Sequence, residues 1–146
     1  VLIEPDEADA WYAVFAAPDP GVRALTAIHG TPAVHRVCVL ERGAVFLGDV
    51  REPDSFEYLD TYGPVVDVTE AVDEELLLLA TRFAVTAVDC HGHRWTTKRL
   101  AIDGLRVDEV SSGWLHGVAD PADDEPRDFA VELETGQVSG GAGVSP

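Results

Sequence analysis

Residues 76–107 read LLLLATRFAVTAVDCHGHRWTTKRLAIDGLRV, and this stretch decides the fold class. Leu76 to Thr81 and Phe83 to Asp89 are short runs of apolar and β-branched residues joined near Arg82. Runs of this length between turn residues are strands. Cys90-His91-Gly92-His93 supplies a glycine-bearing turn, and Arg94 to Ile102 continues as the next strand. Asp103-Gly104 then lies between Ile102 and Leu105. An Asp-Gly pair between apolar residues predicts a two-residue hairpin, because both central positions of its turn need φ > 0. Leu105 and Val107 alternate with Arg106 and Asp108, the pattern of a half-buried strand.

The same reading extends in both directions. Downstream, Ser111-Ser112-Gly113 turns the chain, Trp114 to Ala119 is a strand, and Asp120 to Pro126 is an acidic loop. Phe129, Val131 and Leu133 alternate with Ala130, Glu132 and Glu134, giving a strand with one wet face. Thr135-Gly136 leads to a last short strand near Gln137 and Val138, and the glycine-rich end, residues 138–146, reads as a frayed tail. Upstream, Val34 to Glu41 and Ala44 to Val50 form a hairpin about Arg42-Gly43. Asp6 to Phe15 and Val22 to Ile28 read as strands separated by the turn Pro18-Asp19-Pro20-Gly21, and His29-Gly30-Thr31-Pro32 breaks the second. Within the polar link Glu52 to Pro64, Asp54-Ser55-Phe56-Glu57 has capping-box spacing and predicts a short helical turn. Val65 to Val68 is a short strand, followed by an acidic turn over Thr69 to Glu75.

Short strands with turns every ~8–12 residues predict an all-β chain. The expected architecture is a single-domain antiparallel meander over residues 1–146, folded as a β-sandwich or small barrel with at most one or two helical turns. No internal sequence repeat is visible, and a complete propeller needs at least four four-stranded blades, on the order of 160 residues.

The charge narrows the partners. The chain has 27 acidic residues against 10 basic ones, a net charge of −17. Phosphate backbones and anionic membranes repel such a surface, so neither nucleic acid nor membrane is an expected partner. A hydrophobic content of 46% supports a packed core, so the acidity does not imply disorder. Arginine far outnumbers lysine, whose only representative is Lys98, and abundant acids with few lysines fit a salt-adapted surface as well as a functional acidic face. The first residues lack the basic and long apolar regions of a signal peptide, so the expected location is cytoplasmic. There Cys38 and Cys90 are two ordinary reduced thiols rather than a bridge.

Three groups of residues bear on chemistry. Cys90, His91 and His93 are metal-ligand types in one turn, with His35 and Cys38 elsewhere. Against a metal site, adjacent strand residues point to opposite faces and no C-x-x-C pair is present; the competing reading is a solvated hairpin turn. Asp89, His91 and His93 would be the machinery of a metal-dependent hydrolase if they converged beside a cleft. The carboxylates are too numerous to mark any catalytic pair, and the Asp120 to Glu125 cluster lacks the spacing of a calcium loop. Trp95, Arg99 and Trp114 are candidate binding residues, with Trp95 and Trp114 placed on neighbouring strands; large aromatics of β proteins more often belong to the core. No nucleophile elbow or phosphate loop occurs, so no catalytic residue and no cofactor are assigned.

The segment from Trp95 to Leu105, with Gly117-Val118-Ala119-Asp120-Pro121 and Glu132-Leu133-Glu134-Thr135-Gly136, resembles a set of uncharacterised bacterial proteins of actinobacterial type. They share a W-[ST]-x-x-R strand, then D-G-[LI], and end near a T-G turn; the likeness covers about residues 76–141. It implies an all-β domain and brings no catalytic residues. The expected function is therefore a small acidic binding or interaction module without catalysis, its partner a protein with a basic surface. The metal-dependent hydrolase, and an acidic inhibitor or nucleic-acid mimic, are the alternatives.

Overall fold

The computed structural model describes residues 2–5, 10–12, 14–15 and 25–142. In their order the strands are β1 (Leu2–Ile3), β2 (Trp11–Tyr12), β3 (Ala27–Gly30), β4 (Arg36–Glu41), β5 (Ala44–Asp49), β6 (Glu57–Leu59), β7 (Asp67–Ala71) and β8 (Leu76–Ala80). They continue as β9 (Val85–Asp89), β10 (Gly92–Thr96), β11 (Leu105–Ser111), β12 (Trp114–Ala119), β13 (Arg127–Glu132) and β14 (Val138–Gly140). β1 and β2 pair with each other, and the rest form three antiparallel four-stranded sheets, each a simple meander in chain order. No helix forms among the described residues beyond one 3-10 turn at Pro53–Ser55. The chain is thus all-β and built of antiparallel meanders, as expected, with stacked sheets and no closed barrel.

Alternation along the strands shows how the sheets stack. In β8, Leu76, Leu78 and Ala80 join one buried cluster, and Leu77 and Leu79 join another. The first cluster reaches Leu115, Phe129, Val131 and Leu133 of the third sheet region. The second reaches Cys38, Leu40, Val45 and Leu47 of the first sheet. The central strands of the middle sheet, β8 and β9, are therefore dry on both faces, and this is why Leu76–Ala80 is apolar without interruption, while the edge strands β7 and β10 keep exposed residues. The third sheet alternates, with Leu115, Phe129 and Val131 inward and Arg106, Asp128 and Glu132 on its outer face. The outer face of the first sheet carries Phe46, against which Phe15 packs at 5.2 Å between ring centroids.

The first strands of the three sheets begin at residues 27, 67 and 105. Four-stranded meanders recurring at about 40 residues are the unit of propeller blades. The repetition is in the backbone and escapes the sequence because the sheets meet different surroundings. The central strands of the middle one, β8 and β9, need buried side chains at successive positions, whereas the third needs them at alternate ones.

Several local expectations change. Asp103-Gly104 is no hairpin: β10 stops at Thr96, and residues 97–104 cross from the second sheet to the third. Only Gly104 has positive φ (124°), so the turn that requires two such residues does not form. The crossing is held instead by Asp120, whose carboxylate accepts hydrogen bonds from the Ile102 N–H (3.0 Å) and the Asp103 N–H (2.7 Å). The capping box does not form either, because Glu57 opens β6 and Ser55 Oγ turns back to the Glu52 carbonyl at 2.6 Å. His29 and Gly30 extend β3 rather than break it, and β7 runs through Thr69 to Ala71 where an acidic turn was expected to begin. Val138–Gly140 pairs with β13, and Ala142 N–H reaches the Leu100 carbonyl at 2.8 Å, so the tail is tied to at least that point. The Pro18–Gly21 turn, most of the Asp6–Phe15 strand, the start of the Val22–Ile28 strand and residues 143–146 lie outside the described residues.

Candidate functional site

The expected binding residues separate. Trp95 sits on β10 and Trp114 on β12, in different sheets rather than on neighbouring strands. Trp95 is core: its indole N–H donates to the Leu133 carbonyl at 2.9 Å, and its ring lies where a Cβ on Gly136 would come within 2.7 Å. Arg99 braces the sheet-to-sheet crossing. Its guanidinium donates to the Ala101 and Ile102 carbonyls at 2.9 and 2.7 Å and stacks over Phe83 at 5.0 Å. Trp114, at the start of β12, is 36% exposed and alone of the three faces a groove.

The Cys90, His91, His93 turn brings no ligands together. No group of three or more His, Cys, Asp or Glu side chains suited to a metal occurs among the described residues. Asp89 is committed locally: Oδ1 accepts from the His91 N–H at 2.7 Å, and Oδ2 pairs with Arg94 at 3.4 Å. His93 Nε2 lies 2.9 Å from Thr96 Oγ1, which in turn lies 3.0 Å from Thr86 Oγ1. An imidazole beside a hydroxyl is the start of a nucleophilic pair, but here no carboxylate orients the ring. Cys38 and Cys90 are both free. Burial pushes the Cys38 thiol up to about 12, so it stays protonated and inert, while Cys90 is exposed.

Concave surface lies elsewhere: one hollow of about 350 Å³ is beside Phe15, Ile28 and Val39, and two grooves lie at the end of the stack where the first turn of each four-stranded sheet emerges. A groove of about 590 Å³ runs between the second and third sheets, lined among others by Glu74, Arg94, Trp114, Glu132 and Glu134. A second, of about 300 Å³, runs between the first and second sheets beside Pro32, Glu70, Val72 and Glu75. The β7–β8 turn is the ridge between them, with Glu74 on one side and Glu75 on the other.

Two properties are found at this end, although exposed apolar side chains also occur elsewhere, at Val14 (96%) and Ile102 (55%). The tips carry apolar side chains in water: Val34 at the β3–β4 turn is 79% exposed, Val72 at the β7–β8 turn 75%, and Trp114 follows the β11–β12 turn. Glu74, Glu132 and Glu134 form no ion pair among the described residues. The one cation of the larger groove, Arg94, is spent on the Glu134 carbonyl, to which Nε and one terminal nitrogen donate at 3.2 and 3.1 Å, and on Asp89. Register places Glu132 directly across from Trp114, so a carboxylate stands beside the indole.

Sequence reading singled out Trp114 but not Glu74, Glu132, Glu134, Val34 or Val72 as site residues. The available signal was valine in turns, where solvated residues are the rule. Compared with protein-family models, curated proteins and solved structures, the chain has no significant match.

Proposed function

We propose that this chain is a non-catalytic binding module for a protein with a basic surface, and that the hairpin-tip end of the sheet stack makes the contact. The observation that carries this reading is the groove between the second and third sheets. Its lining combines a partly exposed tryptophan and three carboxylates that form no ion pair among the described residues. Concave sites of this size with a few convergent polar groups are where ligands bind. Complementary charge steers the encounter and selects the partner.

The hydrolase alternative has less support. It needs Asp89, His91 and His93 to converge, and Asp89 is already held by the His91 backbone and Arg94. The nucleic-acid mimic needs a row of phosphate-like carboxylates along one face. The acids instead are spread over all three sheets and their links, with Glu41 and Glu57 on the first, Asp67 on the second and Asp108, Glu109 and Asp128 on the third, besides the tip end and the Asp120 to Glu125 loop.

The test is a binding titration against small purified proteins of basic and of acidic pI. Binding is expected for the basic set only. It should weaken as ionic strength rises from ~0.01 to ~0.15 M, which shortens the Debye length from about 30 to about 8 Å. No binding of any basic protein at the lower ionic strength rejects the reading.

A further inference from the structure

We infer that the outer face of the first sheet is a contact surface for a second copy of this chain, and that two copies associate face to face about a two-fold axis. The contact is separate from the binding-module reading, because Val14, Ile28 and Tyr58, which carry it, line neither tip groove.

The two ends of the stack differ. Across the outer face of the first sheet, register aligns Ile28, Val39, Phe46 and Tyr58, apolar on all four strands. Across the outer face of the third sheet, a row of the same kind is Glu109, His116, Ala130 and Ser139. Water suits the second row. The first is covered over its middle, where Phe15 packs against Phe46 and Phe56 with centroids at 5.2 and 5.3 Å. Its two flanks are open: Ile28 on one edge strand and Tyr58 on the other are each 51% exposed. Burying such a face against another apolar surface is favourable.

Three observations select a second copy as the cover. The first is charge. Around the hollow on this face, Val14, Phe15, Thr26, Ile28 and Val39 are uncharged, and the one charged lining residue, Glu41, has Arg42 at 3.8 Å. A basic partner finds little to pair with there, whereas an equally uncharged face fits. The second is continuity. The opposite face of the same sheet is already closed by a sheet face, with Leu77 and Leu79 against Cys38, Leu40 and Val45, and a further sheet continues the stack. The third is shape. Val14 projects, 96% exposed, at the rim of the hollow that Phe15, Ile28 and Val39 line. A knob and a hole on one patch are self-complementary, since in a two-fold contact each copy's knob enters the other's hole. The polar row of the third sheet offers no such match, so the contact is isologous and closes at two copies.

The size of the face sets the strength. Its central strands β4 and β5 have six residues each. Four strands ~4.8 Å apart and ~20 Å long give a footprint of ~400 Å² on each copy. That is the low end of specific interfaces, so the dimer is reversible. The net charge of −17 on each copy opposes it further.

The test is sedimentation equilibrium of the full chain over a concentration series from ~5 to ~500 μM. The mass is expected to rise with concentration from 15.7 kDa toward twice that value. Association should strengthen as ionic strength goes from ~0.01 to ~0.15 M, because the Debye length shortens from about 30 to about 8 Å and screens the repulsion. Binding of a basic protein responds to salt with the opposite sign. Ile28→Asp and Val14→Asp each bring a carboxylate into the contact and should weaken association at least about tenfold. Val34→Asp adds the same charge at an exposed valine of the tip end and should stay within about twofold. All three positions are more than half exposed, and urea unfolding followed by circular dichroism establishes that each variant is folded. A mass of 15.7 kDa at every concentration and both ionic strengths overturns the proposal. Association that Ile28→Asp and Val14→Asp leave intact overturns the face. Species larger than two copies overturn the two-fold arrangement.

Discussion

Leu78→Ala and Leu79→Ala together probe the middle sheet. The two residues are consecutive in β8, so their side chains leave opposite faces of the sheet. In a two-layer sandwich one of them would face water, and its truncation would cost a few tenths of a kcal/mol. Here Leu78 is 2% exposed in the cluster shared with the third sheet, and Leu79 is 0% exposed in the cluster shared with the first. Each truncation removes buried methyl groups and leaves a cavity, a change that costs ~3 kcal/mol within a range of ~2–5. For a chain of this length that lowers Tm by about 10 °C. Leu115→Ala and His116→Ala serve as the contrast in β12: Leu115 is fully buried, whereas His116 sits on the outward row and should cost less than ~1 kcal/mol. Urea unfolding followed by far-UV circular dichroism reads all four. A cost below ~1 kcal/mol for either leucine of β8 would refute the three-layer stack.

Further consequences concern single groups. With intact protein at pH 8, a thiol reagent should titrate only Cys90, and both cysteines only after unfolding, because burial keeps the Cys38 thiol protonated up to about 12; two fast thiols in the native state would contradict the burial. Hydrogen bonds from the Arg51 side chain and backbone hold the Asp49 carboxyl down at about 2, against 3.8 ordinarily. Its contribution to stability is therefore complete above pH ~4 and is lost as pH falls from there through ~2. Asp49→Asn should flatten that part of the stability–pH curve, and an unchanged curve would show that the pair adds nothing. Asp120→Ala strands the Ile102 and Asp103 N–H groups and should cost ~2–3 kcal/mol, read by the same urea titration; a neutral result would mean that solvent replaces the carboxylate.

The fold class was legible because its signal is local. Period-two alternation at Phe129, Val131 and Leu133 and the hairpin at Arg42-Gly43 each lie within a few residues, and the structure reproduces both. The Asp103-Gly104 misreading shows the limit of such signals. The pair is a good turn former, but what surrounds it is a crossing between sheets, stabilised by Asp120 from 17 residues away. Distance hides the site more completely. Glu74, Arg94, Trp114 and Glu132 come from a turn and three strands of two different sheets. Nothing in their spacing along the chain marks them as neighbours. The same tertiary context reassigns Trp95, which by composition is equivalent to Trp114, to the core, where its indole closes on Leu133.

The central claim is that the tip end of the stack is the binding surface. Amide chemical-shift mapping on isotope-labelled protein, titrated at low ionic strength with a small basic protein, tests it most directly. The account predicts shifts at residues 31–35, 70–77, 112–114 and 132–134, which line the two grooves and their tips. Shifts centred on the Asp120 to Glu125 loop, or spread evenly over all acidic segments, would contradict it.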